Sequence, residues 1–287
     1  MSWQARLQLD YALEQGRCVA RHVHEGPLRV LKSLYPEGDA ICHNVLVHPP
    51  GGLVGGDYLD LSVTVGAGAH GLLTTPGATR FYRSEGATAT QRLHATVAKG
   101  GRLEWLPLEA IAYPGCRAHS EARFALAPGA ELLAWDITAL GLPQAGAPFE
   151  RGEFSQHLEL QGAWLERGRL RADDGLLLDG ALGLAGRRCM ASLVFAAGTA
   201  ISRERRERAL DAARALISAA EGQVLPEAGP PGLPLMAGVS AAHPQVLVLR
   251  ALAPLTEASF ALLRSCWALW RKELWGLDGQ PPRIWAM

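Results

Sequence analysis

The chain has 287 residues, and its 28 lysines and arginines balance its 28 aspartates and glutamates. A composition that is 48% hydrophobic and 20% charged excludes a disordered chain, and the zero net charge argues against a protein that mainly binds nucleic acid phosphates. Because no apolar run reaches the roughly 18 residues of a membrane span, we expect a cytoplasmic protein with no membrane segment.

From residue 3 to about residue 200, the sequence predicts strand after strand. Apolar and polar residues alternate in Tyr58–Val65, in Arg102–Leu106 and in residues 154–160, as they do in half-buried strands. Glycine turns at 66–68, 99–101 and 127–129 each precede a strand and recur about every 30 residues. This spacing favours successive windings of a repeating β architecture over a simple meander.

Two helices are predicted in the C-terminal third. Residues 202–221 have apolar residues at helical spacing, with Ser202 as N-cap and Gly222 as stop, and residues 256–275 repeat the pattern with Thr256 as N-cap. A Pro/Gly loop at 226–234 and an apolar strand at 245–250 separate the helices. We therefore predict one domain, residues 1–287, with a mainly β body over about 3–200 and a helix–strand–helix region over about 201–287.

The segment at residues 48–57, His-Pro-Pro-Gly-Gly-Leu-Val-Gly-Gly-Asp, contains two diglycines. Neither Gly-Lys-Ser/Thr nor a helix follows it, which excludes a phosphate-binding P-loop. One interpretation is a tight corner between strands in which Asp57 accepts hydrogen bonds from turn amides. The other is that Asp57 is an oxygen ligand in a glycine-walled pocket. The other motif residues are His48, Gly51, Gly52, Gly55 and Gly56.

The segment at residues 74–84, Thr-Thr-Pro-Gly-Ala-Thr-Arg-Phe-Tyr-Arg-Ser, follows a predicted strand. Pro76 and Gly77 turn the chain, and Arg80, Tyr82 and Arg83 then project polar ends. These side chains predict either a site for an anion or carboxylate, or a structural cluster in which the arginines bond loop carbonyls.

Three carboxylates, those of Glu104, Glu109 and Asp136, fall within or beside apolar strands. An unpaired carboxylate is costly in such a position, so each needs an arginine partner, a metal or a wet channel. The five cysteines form no Cys-x-x-Cys motif, so neither a zinc ribbon nor a disulfide framework is predicted.

Four tryptophans lie in the last 21 residues, at Trp267, Trp270, Trp275 and Trp285. They predict either core packing of the last helix onto the sheet or a surface that docks a protein partner, since tryptophan is enriched at binding hot spots. Both interpretations remain open at the level of the sequence.

Taken together, the motifs at 48–57, 74–84, 103–107, 134–136 and 282–286 resemble the urease accessory protein D family, called UreH in some bacteria. The resemblance runs from about residue 17 to the C-terminus. It implies a cytoplasmic, non-enzymatic scaffold with a supercoiled β-helical body and two helices. It also implies binding to urease apoprotein and to accessory protein F, which recruits the GTPase accessory protein G. No tightly bound cofactor is expected, because the family is thought to pass Ni²⁺ through a water-filled tunnel to the dinuclear site of urease.

The resemblance places the acidic tunnel candidates at Asp57, Asp136 and Glu166, with Glu104 and Glu109 as secondary candidates. Two further interpretations stay open. One is a pure adaptor that holds partners together without nickel passage. The other is a β-helical hydrolase or lyase that uses Asp57 and Asp136 as an acid/base pair. An enzyme should hold its carboxylates in a closed cleft, whereas a conduit needs two openings.

Overall fold

The computed structural model describes residues 2–221 and 233–286, which form eighteen strands and three α-helices. The strands, in chain order, are β1 Gln4–Glu14, β2 Arg17–Glu25, β3 Arg29–Val30, β4 Ile41–Val47, β5 Tyr58–Val65, β6 His70–Thr74, β7 Thr79–Phe81, β8 Ala89–Val97, β9 Arg102–Leu106, β10 Ala110–Ala112, β11 Cys116–Leu126, β12 Glu131–Leu142, β13 Ala147–Pro148, β14 Gly152–Leu160, β15 Trp164–Arg171, β16 Cys189–Ala197, β17 Met236–His243 and β18 Val246–Ala253. The helices are α1 Gly175–Asp179, α2 Arg203–Glu221 and α3 Thr256–Trp270, and α3 continues into a π-helical turn, Arg271–Trp275. Short 3₁₀ turns occupy Pro143–Ala145 and Arg283–Ala286.

Strands between β4 and β14 alternate between two sheets, so the backbone winds as a β-solenoid of about four turns. The predicted glycine turns are the corners of consecutive windings. Gly68, Gly100 and Gly129 have φ angles of 69°, 71° and 78°, which glycine adopts without a steric penalty. The corners also stack, because the Gly68 amide donates to the Lys99 carbonyl and the Gly100 amide donates to the Gly129 carbonyl. The predicted β-helical body is confirmed.

Two sheets form the body. The seven-stranded outer sheet has the order β15-β14-β11-β8-β5-β1-β2, and its central strands β5, β8, β11 and β14 are parallel. The eleven-stranded middle sheet follows β17-β18-β16-β12-β9-β6-β4-β3, with β10 and β13 paired to β12 and β7 paired to β10. Strands β4, β6, β9 and β12 run parallel, whereas β12, β16, β18 and β17 are antiparallel.

The middle sheet separates two hydrophobic cores. Alternate residues of its strands, such as Leu132, Val194 and Val248, pack against the outer sheet. The intervening residues, such as Leu133 and Phe195, pack against α2 and α3. Because both faces of the middle sheet are buried, its strands have near-continuous apolar sequences rather than the alternation seen in the outer sheet.

The helical region departs from the sequence prediction in two places. A second strand, β17, pairs with β18 as a hairpin, so the helices bracket two strands. Leu255, not Thr256, is the N-cap of α3, and no side chain caps that end. Ser202 does accept a hydrogen bond from the Arg205 amide, as predicted for an N-cap. The predicted stop at Gly222 and most of the 226–234 loop lie outside the described residues.

The expectation that the chain has no membrane segment is tested by the length and hydropathy of its helices. Across residues 2–221 and 233–286, no helix is long and apolar enough to cross a membrane.

Candidate functional site

A row of polar side chains crosses the inner face of the outer sheet. Gln91 of β8, Ser120 of β11 and Gln156 of β14 are register partners on adjacent strands. Each has buried apolar residues two positions away on its own strand, so all three side chains face the middle sheet. Polar groups therefore interrupt the apolar layer between the sheets along one line, which we call the polar row.

The middle sheet places matching polar residues opposite the polar row. Thr79 of β7 and Thr138 of β12 lie in register on either side of Ala110. Asp136 lies two residues before Thr138 on β12, and therefore on the same face of the sheet. It is in register with Ser192 of β16, and Ser192 is in register with Arg250 of β18.

Hydrogen bonds join the two sheets where these polar groups meet. Gln156 Nε2 donates to Asp136 Oδ1 at 2.6 Å, and Thr138 Oγ1 donates to the same oxygen at 3.0 Å. On β15, Glu166 accepts a hydrogen bond from Ser192 Oγ on Oε1 at 2.9 Å. Asp136 and Glu166, both of which the resemblance gave as tunnel candidates, thus belong to one cluster between the sheets.

Burial perturbs the Asp136 carboxyl. Its pKa is raised to about 6, chiefly because burial penalises the charged form and secondarily because the Glu166 charge lies nearby. Hydrogen bonds from Thr138 and Gln156 act in the opposite direction. Asp136 and Ser120 face the inter-sheet layer, and each keeps some accessible surface.

A cavity of about 250 Å³ lies at one end of the polar row. It lies between the glycine motif and the Thr-Pro-Gly motif, and its polar lining consists of His48, Thr75, Thr79, Arg80 and Gln91. Exposed residues of both motifs form its rim, so the cavity reaches the surface.

His48 is the unusual member of this lining. Neither ring nitrogen has a hydrogen-bond partner among the described residues, although both are shielded from solvent. Burial lowers the pKa of His48, against an opposing effect of the Asp57 charge. The lowered pKa favours the neutral imidazole, in which one nitrogen is able to accept a hydrogen bond.

The opposite end of the polar row lies at the edge of the body. Gly168 of β15 is in register with Gln156 and is exposed, and a side chain there would meet no atom within 4 Å. Arg250 of β18, which pairs with Glu166, has 49% of its side chain exposed. The line of polar groups therefore runs from the cavity to an exposed edge of the body.

Asp57 lies in a different setting from Asp136. Its Oδ1 accepts a hydrogen bond from the Trp3 amide at 2.6 Å, and its Oδ2 accepts one from the Val54 amide at 2.8 Å. Each carboxylate oxygen accepts a hydrogen bond from a backbone amide, and Asp57 is buried. The geometry matches the turn-amide interpretation of Asp57, and no hydrogen bond connects it to the polar row within the described chain.

The two sequence motifs pack against each other beside the cavity. The Leu53 amide donates to the Arg80 carbonyl at 2.7 Å, and the Tyr82 amide donates to the Leu53 carbonyl at 2.8 Å. A Cβ on Gly52 would lie 2.3 Å from Tyr82 Cε2, which explains why a glycine stands there. Arg83 points away from this contact and pairs with Glu85 at the surface.

The remaining motif residues shape the same corner. Gly51 and Gly56 have φ angles of 78° and 91°, and a Cβ on Gly55 would clash with Ser84. Pro76 and Gly77 are exposed on the cavity rim.

Glu104 lies on the other face of the middle sheet, in the helical core. It is fully buried and accepts hydrogen bonds from His70 Nε2 at 2.7 Å and Trp267 Nε1 at 2.6 Å, with Arg271 Nε at 3.5 Å. Burial alone would raise its pKa, but His70, Arg271 and Trp267 hold the pKa below its usual value. Glu104 therefore has the arginine partner that the sequence allowed for.

Glu109 lines a second cavity, of about 280 Å³, at the N-terminal end of α3. Burial raises its pKa, and the facing Glu257 raises it further. This cavity is on the helical side of the middle sheet, away from the polar row.

The structure decides between the two interpretations of the C-terminal tryptophans in favour of core packing. All four residues are buried, and each indole N–H has an acceptor in the core. The donors and acceptors are Trp267 to Glu104, Trp270 to the Ala209 carbonyl, Trp275 to Glu131 and Trp285 to Thr74. Core packing is favoured because the middle sheet supplies oxygen acceptors for three of these indoles and α2 supplies the fourth.

Sequence reasoning missed the residues that connect the cavity to Asp136. Gln91, Ser120 and Gln156 could have been found as polar residues at inward positions of alternating strands. Their shared line depends on strand register, which spacing alone does not give. Within residues 2–221 and 233–286, no group of three or more His, Cys, Asp and Glu side chains is placed to hold a metal ion.

Comparisons with known proteins agree over the whole chain. A family profile described as "UreD urease accessory protein" matches residues 4–286. The protein named "Urease accessory protein UreD" from Paracidovorax citrulli is 61% identical over 287 residues, covering 100% of both chains. Those of the same name from Albidiferax ferrireducens and Leptothrix cholodnii are 59% and 50% identical, covering 100% and 99% of both chains.

Proposed function

The chain belongs to the UreD family of urease accessory proteins, and on that premise we propose that it is a non-catalytic urease maturation factor that conducts nickel to the dinuclear site of urease. The observation that supports this proposal is the line of polar groups that runs from the cavity to the exposed edge of the body, and we take these two ends as the openings of the conduit. Nickel enters at one opening, passes Asp136 and Glu166, and leaves at the other.

The chemistry of the polar row suits passage rather than storage. Nickel binds imidazole and thiolate more tightly than carboxylate, amide, hydroxyl or water. Asp136, Glu166, Gln156 and Ser120 offer only oxygen ligands of the weaker kind. A proton also competes for Asp136 near neutral pH, because its pKa is raised to about 6. A cation held by such groups exchanges readily.

The two openings suit two partners. We assign urease apoprotein to one end of the polar row and accessory protein F, with the GTPase accessory protein G bound through F, to the other. The complex works in the cytoplasm, where it receives Ni²⁺ as cargo and holds no resident cofactor. An acid/base hydrolase has less support, because both oxygens of Asp57 are occupied by backbone amides.

Reconstituted urease activation tests the proposal. Asp136→Asn and Glu166→Gln should each lower urease activity and the nickel content of urease, and the double variant should lower both most, while pull-down with urease and accessory protein F is unchanged. Asp173→Asn is the matched control, since this acid is exposed at the surface. Full activation by the double variant would exclude nickel passage by these acids and leave the adaptor interpretation.

A further inference from the structure

An ion pair lies at the edge end of the polar row. Arg250 Nε and Nη2 approach Glu166 Oε2 at 2.8 and 2.7 Å, and the guanidinium lies 6.0 Å from the centre of the Trp164 ring. Since Ser192 Oγ donates to Oε1, both oxygens of Glu166 are occupied. Asp136 Oδ2, by contrast, accepts no hydrogen bond from the described residues.

We infer that Arg250 is a gate: its guanidinium occupies the place at Glu166 that a divalent cation needs, and it must leave before the cation can pass. This inference rests on the proposed function. A guanidinium and a nickel ion both seek carboxylate oxygen, so they compete for Glu166 directly. The positive charge of Arg250 also repels a dication that has reached Asp136.

The structure leaves room for the gate to open. Arg250 is in register with Gly238 on the edge strand β17, so the neighbouring position on the same sheet face has no side chain. A Cβ on Gly238 would meet no atom within 4 Å. The guanidinium can therefore swing off Glu166 over β17, into space open to solvent.

An acidic surface on a protein partner would hold the gate open. Arg250 is half exposed, so a partner carboxylate seated at the β17 edge can accept the guanidinium without unfolding either sheet. Glu166 then loses its arginine only when that partner is docked. Docking at this edge would thus couple complex assembly to the release of nickel.

The alternative is that the ion pair only fastens β15 to the middle sheet. An ion pair with one half-exposed partner contributes little to stability. A fastening role therefore predicts a small change in stability and no change in nickel binding when Arg250 is replaced. Nickel affinity distinguishes the two roles.

The test is equilibrium binding of Ni²⁺ to the complex of the full chain with accessory protein F. Arg250→Gln should bind nickel about tenfold more tightly than the parent, as expected when a neighbouring positive charge is removed. Arg250→Lys should stay close to the parent, because it keeps the charge. Adding Glu166→Gln to Arg250→Gln should abolish the gain. The matched control, Arg169→Gln, removes an arginine from an ion pair on the opposite face of β15 and should change nothing.

The outcomes separate this inference from the proposed function. If Arg250→Gln binds nickel no more tightly than the parent while Asp136→Asn weakens binding, the gate is wrong and the conduit stands. If Asp136→Asn and Glu166→Gln change neither nickel binding nor activation, the proposed function fails and the gate fails with it. Equal gains from Arg250→Gln and Arg169→Gln would reduce the effect to net charge and overturn the gate.

Discussion

Replacing Asp136 with asparagine should make the fold more stable at neutral pH, although it impairs nickel passage. The pKa of Asp136 is raised to about 6 by burial and by the Glu166 charge. An aspartate in the unfolded chain titrates near 3.9. Between these two pH values the folded state retains a proton that the unfolded state releases, so the free energy of unfolding falls as the pH rises from about 4 to about 6. Above about pH 6 the loss of free energy of unfolding caused by the Asp136 charge is constant.

The size of the effect follows from the shift. Two pKa units correspond to about 3 kcal/mol, which is the greatest gain that asparagine can bring at about pH 7.5. The amide keeps the size of the carboxyl and can still accept hydrogen bonds from Gln156 and Thr138. It also relieves the repulsion from Glu166. The gain should shrink towards zero as the pH approaches 4, where Asp136 is itself protonated.

Urea denaturation of the full chain at about pH 7.5 and pH 5 checks this prediction. Asp136→Asn should shift the midpoint upward at the higher pH and less at the lower pH, with an unchanged slope. Asp173→Asn serves as the exposed control. A variant that is less stable than the parent at pH 7.5, or equally stabilised at both pH values, would contradict the account of Asp136 as a destabilising charge kept for function.

Two further predictions concern packing and the core. Gly52→Ala should lower the free energy of unfolding by about 1–3 kcal/mol, because the added Cβ would lie 2.3 Å from Tyr82. Gly77→Ala should be tolerated, because a Cβ there would meet no atom within 4 Å. Urea denaturation compares the two variants. Trp267→Phe should lower the free energy of unfolding by about 2 kcal/mol or more, since it removes an indole donor from the fully buried Glu104. A thermal midpoint unchanged in Trp267→Phe would show that this hydrogen bond adds nothing to stability.

Local signals in the sequence were sufficient for the architecture. The corners at Gly68, Gly100 and Gly129 mark the windings because each needs a left-handed backbone. Glycine adopts that conformation without a steric penalty, so the glycines themselves are the signal in the sequence. The long helices follow from apolar spacing in the same way. Strand β17 was missed because its alanine, glycine and serine residues carry no alternation, and its pairing with β18 is what makes it a strand.

The candidate site could be predicted only in part. Asp136 stood out because a carboxylate in an apolar strand needs an explanation, and the structure places Glu166 beside it. The polar row could not be predicted, because Gln91 and Gln156 are aligned with Ser120 only by the register of three parallel strands. The burial of the four tryptophans could not be decided from the sequence for a related reason: the acceptors that make burial favourable lie on distant strands and on α2.

The most direct test of the central claim is to plug the polar row without touching its acids or its openings. Ser120 lies midway between Gln91 and Gln156, and its side chain faces the middle sheet. Urease should be activated with the Ser120→Leu chain and, as control, the Ser120→Ala chain, and its nickel content measured by elemental analysis after both complexes are shown to assemble. A conduit predicts nickel-poor urease with Ser120→Leu and normal nickel with Ser120→Ala. Equal nickel content with the two intact complexes would show that nickel does not pass between the sheets.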